Sequence, residues 1–194
     1  MLSCLLLAAG ESQRFGSPKA LAKINHVTII EQLQQRFIDA HIDELIIVLG
    51  AHAQKIEPFI LKHNRIRIVY NKDYIFGQTS SFLTGFKEIN KSSQGVMLLP
   101  VDYPFITLDT INKLKSEFHR RPEKIIIPVY KEKKGHPPIF SIRFKEQFLN
   151  LNYLQGINSI FKKLPDEIIL FPVDDPGVIQ TFNTPEEFSK ITDE

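Results

Sequence analysis

The chain has 194 residues, 43% hydrophobic and 24% charged, with a net charge of +2. This balance suits one globular domain over residues 1–194, and the small net charge argues against nucleic acid or an anionic membrane as partner. Cys4 is the single cysteine, which excludes an internal disulfide and a cysteine-based metal cluster. No apolar run approaches the roughly 20 residues of a membrane helix. Since the N-terminus has no basic segment before its first strand, we expect no signal peptide and a cytoplasmic location.

Segments typical of β-strands alternate with segments of helical spacing along most of the chain. The predicted strands are Leu2–Leu7, Glu44–Leu49, Ile66–Tyr70, Gly95–Pro100, Lys124–Val129 and Ile168–Phe171. The predicted helices cover 29–40, 56–60, 80–89 and 108–118; a strand over 136–141, two short helical segments, the last strand and a helix from Pro185 follow. This alternation predicts an α/β fold, a single Rossmann-like three-layer domain with a mostly parallel central sheet. Ligands of such sheets bind at the carboxyl ends of the strands.

The first predicted strand leads into a polar turn with two glycines and two cations. Gly10, Arg14, Gly16 and Lys19 all lie in the segment LLLAAGESQRFGSPK. Backbone amides and cations in one concavity bind the oxygens of a polyphosphate. The spacing does not match a P-loop, and Ser12 stands where the dinucleotide-binding fingerprint has its second glycine. From the residues alone, a phosphate-binding loop and an ordinary strand-to-helix turn both stay open.

A second polar turn, GQTSS, covers residues 77–81 and leads into a predicted helix. Its hydroxyls and the amides at the helix start are suited to bind a base, a ribose or a phosphate. A plain Ser/Thr cap of the helix is the alternative interpretation.

Asp102 comes directly after a predicted strand, between Pro100 and Pro104 in LLPVDYP. A carboxylate held on a stiff turn at a strand end is a suitable ligand for Mg²⁺. The alternative is an Asp that caps the next helix, although Thr107 or Asp109 would serve that purpose equally well.

Two features follow the fifth predicted strand. The charged segment 131–135 (KEKKG) favours a solvated connection between strands over a recognition role. His136 precedes two prolines, and a lone histidine near a chain reversal is usually structural or solvated.

Five stretches, taken in order, resemble the MobA-like nucleotidyltransferases, and most closely their molybdenum cofactor cytidylyltransferase group. They are LAAGESQRFGSPKAL, NKDYIFGQTSS, LLPVDYP, KGHPPIF and FNTPEEF, and the first follows the family pattern L-A-A-G-x-S-x-R-x-G-x-x-K-x-L. The resemblance covers nearly the whole chain. It implies a fold of the nucleotide-diphospho-sugar transferase type and the transfer of CMP from CTP to a phosphorylated acceptor, molybdopterin, with release of pyrophosphate. It also implies Mg²⁺ as cofactor, and a molybdoenzyme or its chaperone as the partner that receives the product.

The resemblance assigns roles to individual residues. It implies that Arg14, Lys19 and Asp102 are catalytic, that Asp102 is the main metal ligand, and that His136 contacts the acceptor. The nucleotide-binding residues that it implies are Leu7, Ala8, Ala9, Gly10, Arg14, Gly16, Lys19, Gly77, Ser80 and Ser81.

The last motif departs from the family pattern. Asn183 stands where a second metal-binding carboxylate is expected, and Thr181 replaces another Asp. The Asn183 carbonyl oxygen is suited to bind Mg²⁺ but adds no negative charge. Asp174 and Asp175, a few residues upstream, are predicted to form a turn instead of replacing the lost ligand.

Two alternatives remain open. One is a related nucleotidyltransferase that uses another NTP, or a sugar phosphate or alcohol phosphate as acceptor. The other, favoured by the replacements at Thr181 and Asn183, is a non-catalytic protein that binds a nucleotide or a cofactor.

Overall fold

An eight-stranded sheet forms the centre of the protein. The computed structural model describes residues 1–192, so residues 193 and 194 of the predicted domain lie outside the described residues. The strands are β1 (Leu2–Ala8), β2 (Lys23–Ile24), β3 (Val27–Thr28), β4 (Glu44–Leu49), β5 (Ile66–Tyr70), β6 (Gly95–Pro100), β7 (Ile125–Tyr130), β8 (Lys133–Lys134), β9 (Ile139–Ser141) and β10 (Ile168–Pro172). The sheet order is β10-β7-β9-β6-β1-β4-β5, with β8 paired to β7, while β2 and β3 form a separate hairpin.

The sheet is mostly parallel, as predicted. Parallel pairs join β4 to β1 and β5, β1 to β6, and β7 to β10. The predicted strand over 136–141 is shorter, however, and β9 runs antiparallel to both β6 and β7. A parallel partner needs a crossover of a dozen or more residues, and the connection from β7 to β9 is too short for one.

Helices cover both faces of the sheet, which confirms the predicted three-layer fold. They are α1 (Ile29–Asp39), α2 (Ala53–Ile56), α3 (Gln78–Lys87), α4 (Leu108–Arg120), α5 (Lys145–Leu149), α6 (Asn158–Lys163) and α7 (Pro185–Thr192). Side chains of β1 alternate between the faces, since Cys4 and Leu6 pack in the core with α1 and α4, whereas Leu5 and Leu7 pack with α3 and α5. Cys4 is fully buried, and burial raises the pKa of its thiol well above the ordinary value.

Local sequence sets where the helices start and stop. α1 begins at a capping box formed by Thr28 and Glu31. The helix predicted over 56–60 is wrong in its bounds, because α2 ends at Ile56 and a 3₁₀ turn, Glu57–Phe59, follows. Pro58 lies in that turn, and a proline lacks the N–H that a continuing α-helix requires.

The carboxyl ends of the central strands lie side by side. Leu7 of β1 pairs with both Val48 of β4 and Pro100 of β6. The loop after β1 and the turn after β6 therefore meet at one edge of the sheet. Residues 131–134, between β7 and β9, are exposed, which confirms the predicted solvated connection. Within residues 1–192 no helix is long and apolar enough to cross a bilayer.

Candidate functional site

A cleft of about 600 Å³ opens at this carboxyl edge. Its volume is within the range of small-molecule sites. The predicted site residues that line it are Leu7, Ala8, Ala9, Gly10, Arg14, Lys19, Gly77, Ser81, Asp102 and Asn183. The other predicted residues, Gly16, Ser80 and His136, are not part of its wall.

The loop after β1 has a defined shape. The Ser12 carbonyl accepts hydrogen bonds from the amides of Phe15 and Gly16, each at 3.0 Å. Gly16 has a φ of 78°, in the left-handed region that favours glycine. The Phe15 ring packs edge-on against Phe182 at 5.2 Å between centroids, which anchors the loop to the C-terminal segment. Gly16 therefore shapes the loop from outside the cleft wall.

The side chain of Lys19 lies at the centre of the site. Its Nζ donates to Asp102 Oδ2 at 3.2 Å, to Asn183 Oδ1 at 3.1 Å and to the Phe182 carbonyl at 2.6 Å. The side chains of Lys19 and Asp102 are only 12% and 25% exposed, so water screens this ion pair less than it screens a pair on the surface. Residues from three distant parts of the chain thus converge on one ammonium group.

Arg14 joins this cluster from the exposed side of the loop. Its Nη2 donates to Asn183 Oδ1 at 3.0 Å. The backbone N–H of Asn183 donates to Glu187 Oε2 at 2.6 Å, which fixes the residue at the start of α7. Two cations therefore face the same amide oxygen.

The oxygens of Asp102 and Asn183 suit a magnesium ion. Among residues 1–192 no group of three or more His, Cys, Asp or Glu side chains is placed to hold a metal. Proteins commonly bind Mg²⁺ through one or two side-chain oxygens, and substrate phosphates and water complete the shell. Asp102 Oδ2 and Asn183 Oδ1 already face one cation, the Lys19 ammonium, so the pair fits such a site.

Asp102 does not cap the following helix. α4 is capped by Thr107, whose Oγ1 accepts from the N–H of Thr110 at 3.2 Å. Asp175, which is buried, in turn accepts hydrogen bonds from Thr107 and from the N–H of Gly177. The predicted turn role of Asp175 is confirmed, and Asp102 lines the cleft, where its carboxylate pairs with Lys19.

Gly77, Gln78 and Ser81 of the segment 77–81 also line the cleft, but the side chain of Ser80 is not placed as predicted. That side chain is fully buried, and its Oγ accepts from Asn71 Nδ2 at 2.9 Å and lies 2.8 Å from the carbonyls of Asp73 and Gly77. A direct ligand contact by the Ser80 side chain is therefore not what the structure shows. The Ser/Thr cap considered as the alternative is wrong as well, because Gly77 is the cap residue of α3 and no side chain caps it.

His136 lies behind the cleft wall, where its ring packs on Tyr103 at 4.4 Å between centroids. Its backbone N–H donates to the Val178 carbonyl at 2.8 Å. Burial lowers the pKa of His136 below its usual value, while the Leu98 carbonyl and Asp102 act in the opposite direction. The structure thus places His136 beside the Asp102 turn and outside the cleft wall, and its contact with the acceptor stays a prediction.

Some wall residues were not among the predicted site residues. Tyr74 and Gln78 line the cleft near Gly77, and Ser12 lines it near Lys19. Phe182 contributes its carbonyl to Lys19, and any residue type has a carbonyl. Tyr74 and Gln78 do lie within the motif NKDYIFGQTSS, and that position was the available signal.

Comparison with known proteins identifies the family and the fold of the chain. Residues 4–168 match the MobA-like NTP transferase domain family. The chain is 30% identical to nicotine blue oxidoreductase of Paenarthrobacter nicotinovorans over 149 residues, 70% of this chain and 68% of that protein. It is also 30% identical to a probable molybdenum cofactor guanylyltransferase of Natranaerobius thermophilus over 162 residues, 78% of this chain and 74% of that protein. The solved structure of Rv0371c from Mycobacterium tuberculosis has a TM-score of 0.85 at 19% identity, covering 100% of this chain and 98% of that one, which shows a shared fold.

Proposed function

The chain belongs to the MobA-like NTP transferase domain family of nucleotidyltransferases, and we propose that it transfers a nucleoside monophosphate from an NTP to a phosphorylated acceptor. The observation that supports this most is the convergence of Lys19, Asp102 and Asn183, with Arg14, on one edge of the cleft. Cations beside oxygen ligands are what a triphosphate and its metal need.

In the proposed reaction an oxygen of the acceptor phosphate attacks the α-phosphorus of the NTP. The new P–O bond forms as the bond to the β-phosphate oxygen breaks, and pyrophosphate leaves with the bonding pair. The attacking phosphate is already ionised, so the site needs no strong general base. The task of the chain is positioning and charge neutralisation, which Lys19 and Arg14 would supply at the β- and γ-phosphates.

Asp102 and Asn183 would hold Mg²⁺. When bound, the ion would neutralise charge on the phosphates and hold them in place. Gly10 lines the same cleft, and a Cβ at Gly10 would meet no atom within 4 Å, so phosphate oxygens have room beside this backbone.

The base and the acceptor are the finer part of the proposal. The end of β1, at Leu7 and Ala8, would offer backbone groups to the base, with Gly77 and Ser81 across the cleft. The motif resemblance favours CTP and a molybdopterin acceptor, whereas the relative from Natranaerobius thermophilus is named as a guanylyltransferase. We therefore propose molybdopterin as acceptor and treat CTP and GTP as the two donors to compare.

Melting temperatures with each of the four NTPs, with and without Mg²⁺, test the proposal. A ligand that binds only the native state raises the melting temperature, by an amount that follows its concentration and affinity. We expect one NTP to give the largest rise with Mg²⁺ present, and to release pyrophosphate when molybdopterin is added. Stabilisation without pyrophosphate release from any acceptor tried would favour the non-catalytic alternative. Stabilisation by a nicotinamide dinucleotide and by none of the NTPs would contradict the proposal. It would favour a redox activity instead, because one relative is named as an oxidoreductase.

A further inference from the structure

The ammonium of Lys19 occupies the place between the two oxygens assigned to the metal. It donates to Asp102 Oδ2 at 3.2 Å and to Asn183 Oδ1 at 3.1 Å, and the Phe182 carbonyl at 2.6 Å holds it there. A divalent cation on these oxygens would lie next to the ammonium, and like charges at such short range repel each other strongly. Lys19 must therefore move before both oxygens bind a metal.

The charges around the cleft do not favour that movement in the absence of a nucleotide. The charged residues on its wall are Glu11, Arg14, Lys19 and Asp102, whose formal charges cancel. Of these, the Glu11 carboxylate accepts from Gln13 Nε2 at 2.9 Å, on the exposed part of the loop. Asn183 is neutral where the resemblance leads one to expect a carboxylate, so the pair of metal ligands carries a single negative charge, and Lys19 already neutralises it.

A triphosphate changes this balance. It brings several negative charges into the cleft, and a phosphate oxygen is a strong acceptor for an ammonium. We propose that Lys19 closes the Asp102–Asn183 pair to free divalent cations, and that the metal enters only together with the nucleotide, whose phosphates draw the ammonium away. This inference rests on the proposed function, because it takes the metal-bound NTP as the ligand.

Binding of Mn²⁺ alone, measured by electron paramagnetic resonance and calorimetry, tests the inference, since oxygen sites that suit Mg²⁺ also accept Mn²⁺. We expect weak Mn²⁺ binding to the unmodified protein, and binding at least about tenfold tighter after Lys19→Met, which removes the repelling charge. Lys19→Gln should behave in the same way. The nucleotide affinity of both variants should fall.

Two controls locate the effect. Lys133→Met removes an equal charge from the exposed strand β8 and should leave Mn²⁺ binding unchanged. The double variant Lys19→Met/Asp102→Asn should lose the gained Mn²⁺ site. Equal Mn²⁺ affinity in the unmodified protein and in both folded Lys19 variants would overturn the inference.

The outcome is separable from that of the proposed function, since no acceptor or turnover is involved. If the unmodified protein releases pyrophosphate but the Lys19 variants bind Mn²⁺ no more tightly, only the proposal that Lys19 closes the metal site is wrong. A gain in Mn²⁺ binding without pyrophosphate release from any acceptor would leave the role of Lys19 standing and count against the transfer reaction.

Discussion

Lys19 and Arg14 are the residues on which the proposed chemistry depends most. Both face Asn183 Oδ1, at 3.1 and 3.0 Å, and neither belongs to the buried core. Lys19→Ala and Arg14→Ala should each lower turnover by a factor on the order of 10²–10³, the usual effect of removing one electrostatic donor. Melting temperatures should change little. Unchanged steady-state kinetics in both variants would rule out the phosphate-binding role of the loop.

Variants of Asp102 and Thr107 distinguish a catalytic role from a helix-capping role. Asp102→Asn should abolish metal-dependent activity and leave the melting temperature nearly intact, since the amide keeps an oxygen near Lys19. Thr107→Ala should do the reverse, because it removes the cap of α4 and costs roughly 0.5–2 kcal/mol of unfolding free energy. Thermal unfolding and activity, measured on both variants, check this. A large loss of stability in Asp102→Asn with retained activity would contradict it.

At the residue scale, the sequence predicted site residues that act through a distinctive side chain. It missed contacts made by backbone groups, which every residue has. Motif position was enough to select Lys19, Asp102 and Asn183, which the fold brings together. The Phe182 carbonyl gave no signal, because its role does not depend on residue type. Ser80 lay in the right motif but was assigned the wrong contacts, since burial of one hydroxyl in a polar turn depends on the packing of its neighbours.

At the element scale, the start of α3 depends on a buried polar cluster around Asn71. Its Nδ2 donates to Ser80 Oγ at 2.9 Å and to Ser81 Oγ at 3.0 Å, and its Oδ1 accepts from the N–H of Asp73 at 2.9 Å. These bonds fix the turn that carries Gly77 into the cleft wall. The cluster therefore positions one wall of the site, and its member Ser81 itself lines the cleft.

The prediction for this element compares two neighbouring positions. Ser80→Ala should lower the unfolding free energy by roughly 1–3 kcal/mol, because it leaves buried polar groups without partners. Gln78→Ala is the matched control, since Gln78 is exposed and lines the cleft. It should keep the melting temperature and weaken nucleotide binding in calorimetry. If Ser80→Ala unfolds like the unmodified protein, the cluster does not stabilise the turn.

Element types were easier to predict than element pairing. The apolar runs of β1, β4 and β6 are buried along their whole length, so their strand character was visible in the sequence. The hairpin of β2 and β3 was not predicted, because strands of two residues are too short to show a period. The antiparallel insertion of β9 between β6 and β7 depends on contacts between distant segments of the chain. The local sequence of a strand does not show which strands will pair with it.

At the scale of the whole molecule, the sheet divides the protein into a stabilising end and a functional end. The cleft residues follow the carboxyl ends of β1 and β6, whereas Gly95 lies at the amino end of β6. The ring of Phe118 from α4 packs directly on Gly95, so that a Cβ at this position would overlap it. Packing at one end and chemistry at the other should therefore respond to mutation independently.

Gly95→Ala tests this division. Overpacking of a filled core costs typically about 1–3 kcal/mol, and each kcal/mol lowers the melting temperature of a protein of this size by roughly 2–4 °C. Gly156→Ala is the matched control, because Gly156 is exposed and a Cβ there would meet no atom within 4 Å. We expect a lower melting temperature for Gly95→Ala and not for Gly156→Ala. At temperatures well below the unfolding transition, the nucleotide affinity of both variants should be unchanged. A loss of affinity in folded Gly95→Ala would mean that the two ends are coupled through β6, because this strand is the direct connection from Gly95 to the Asp102 turn.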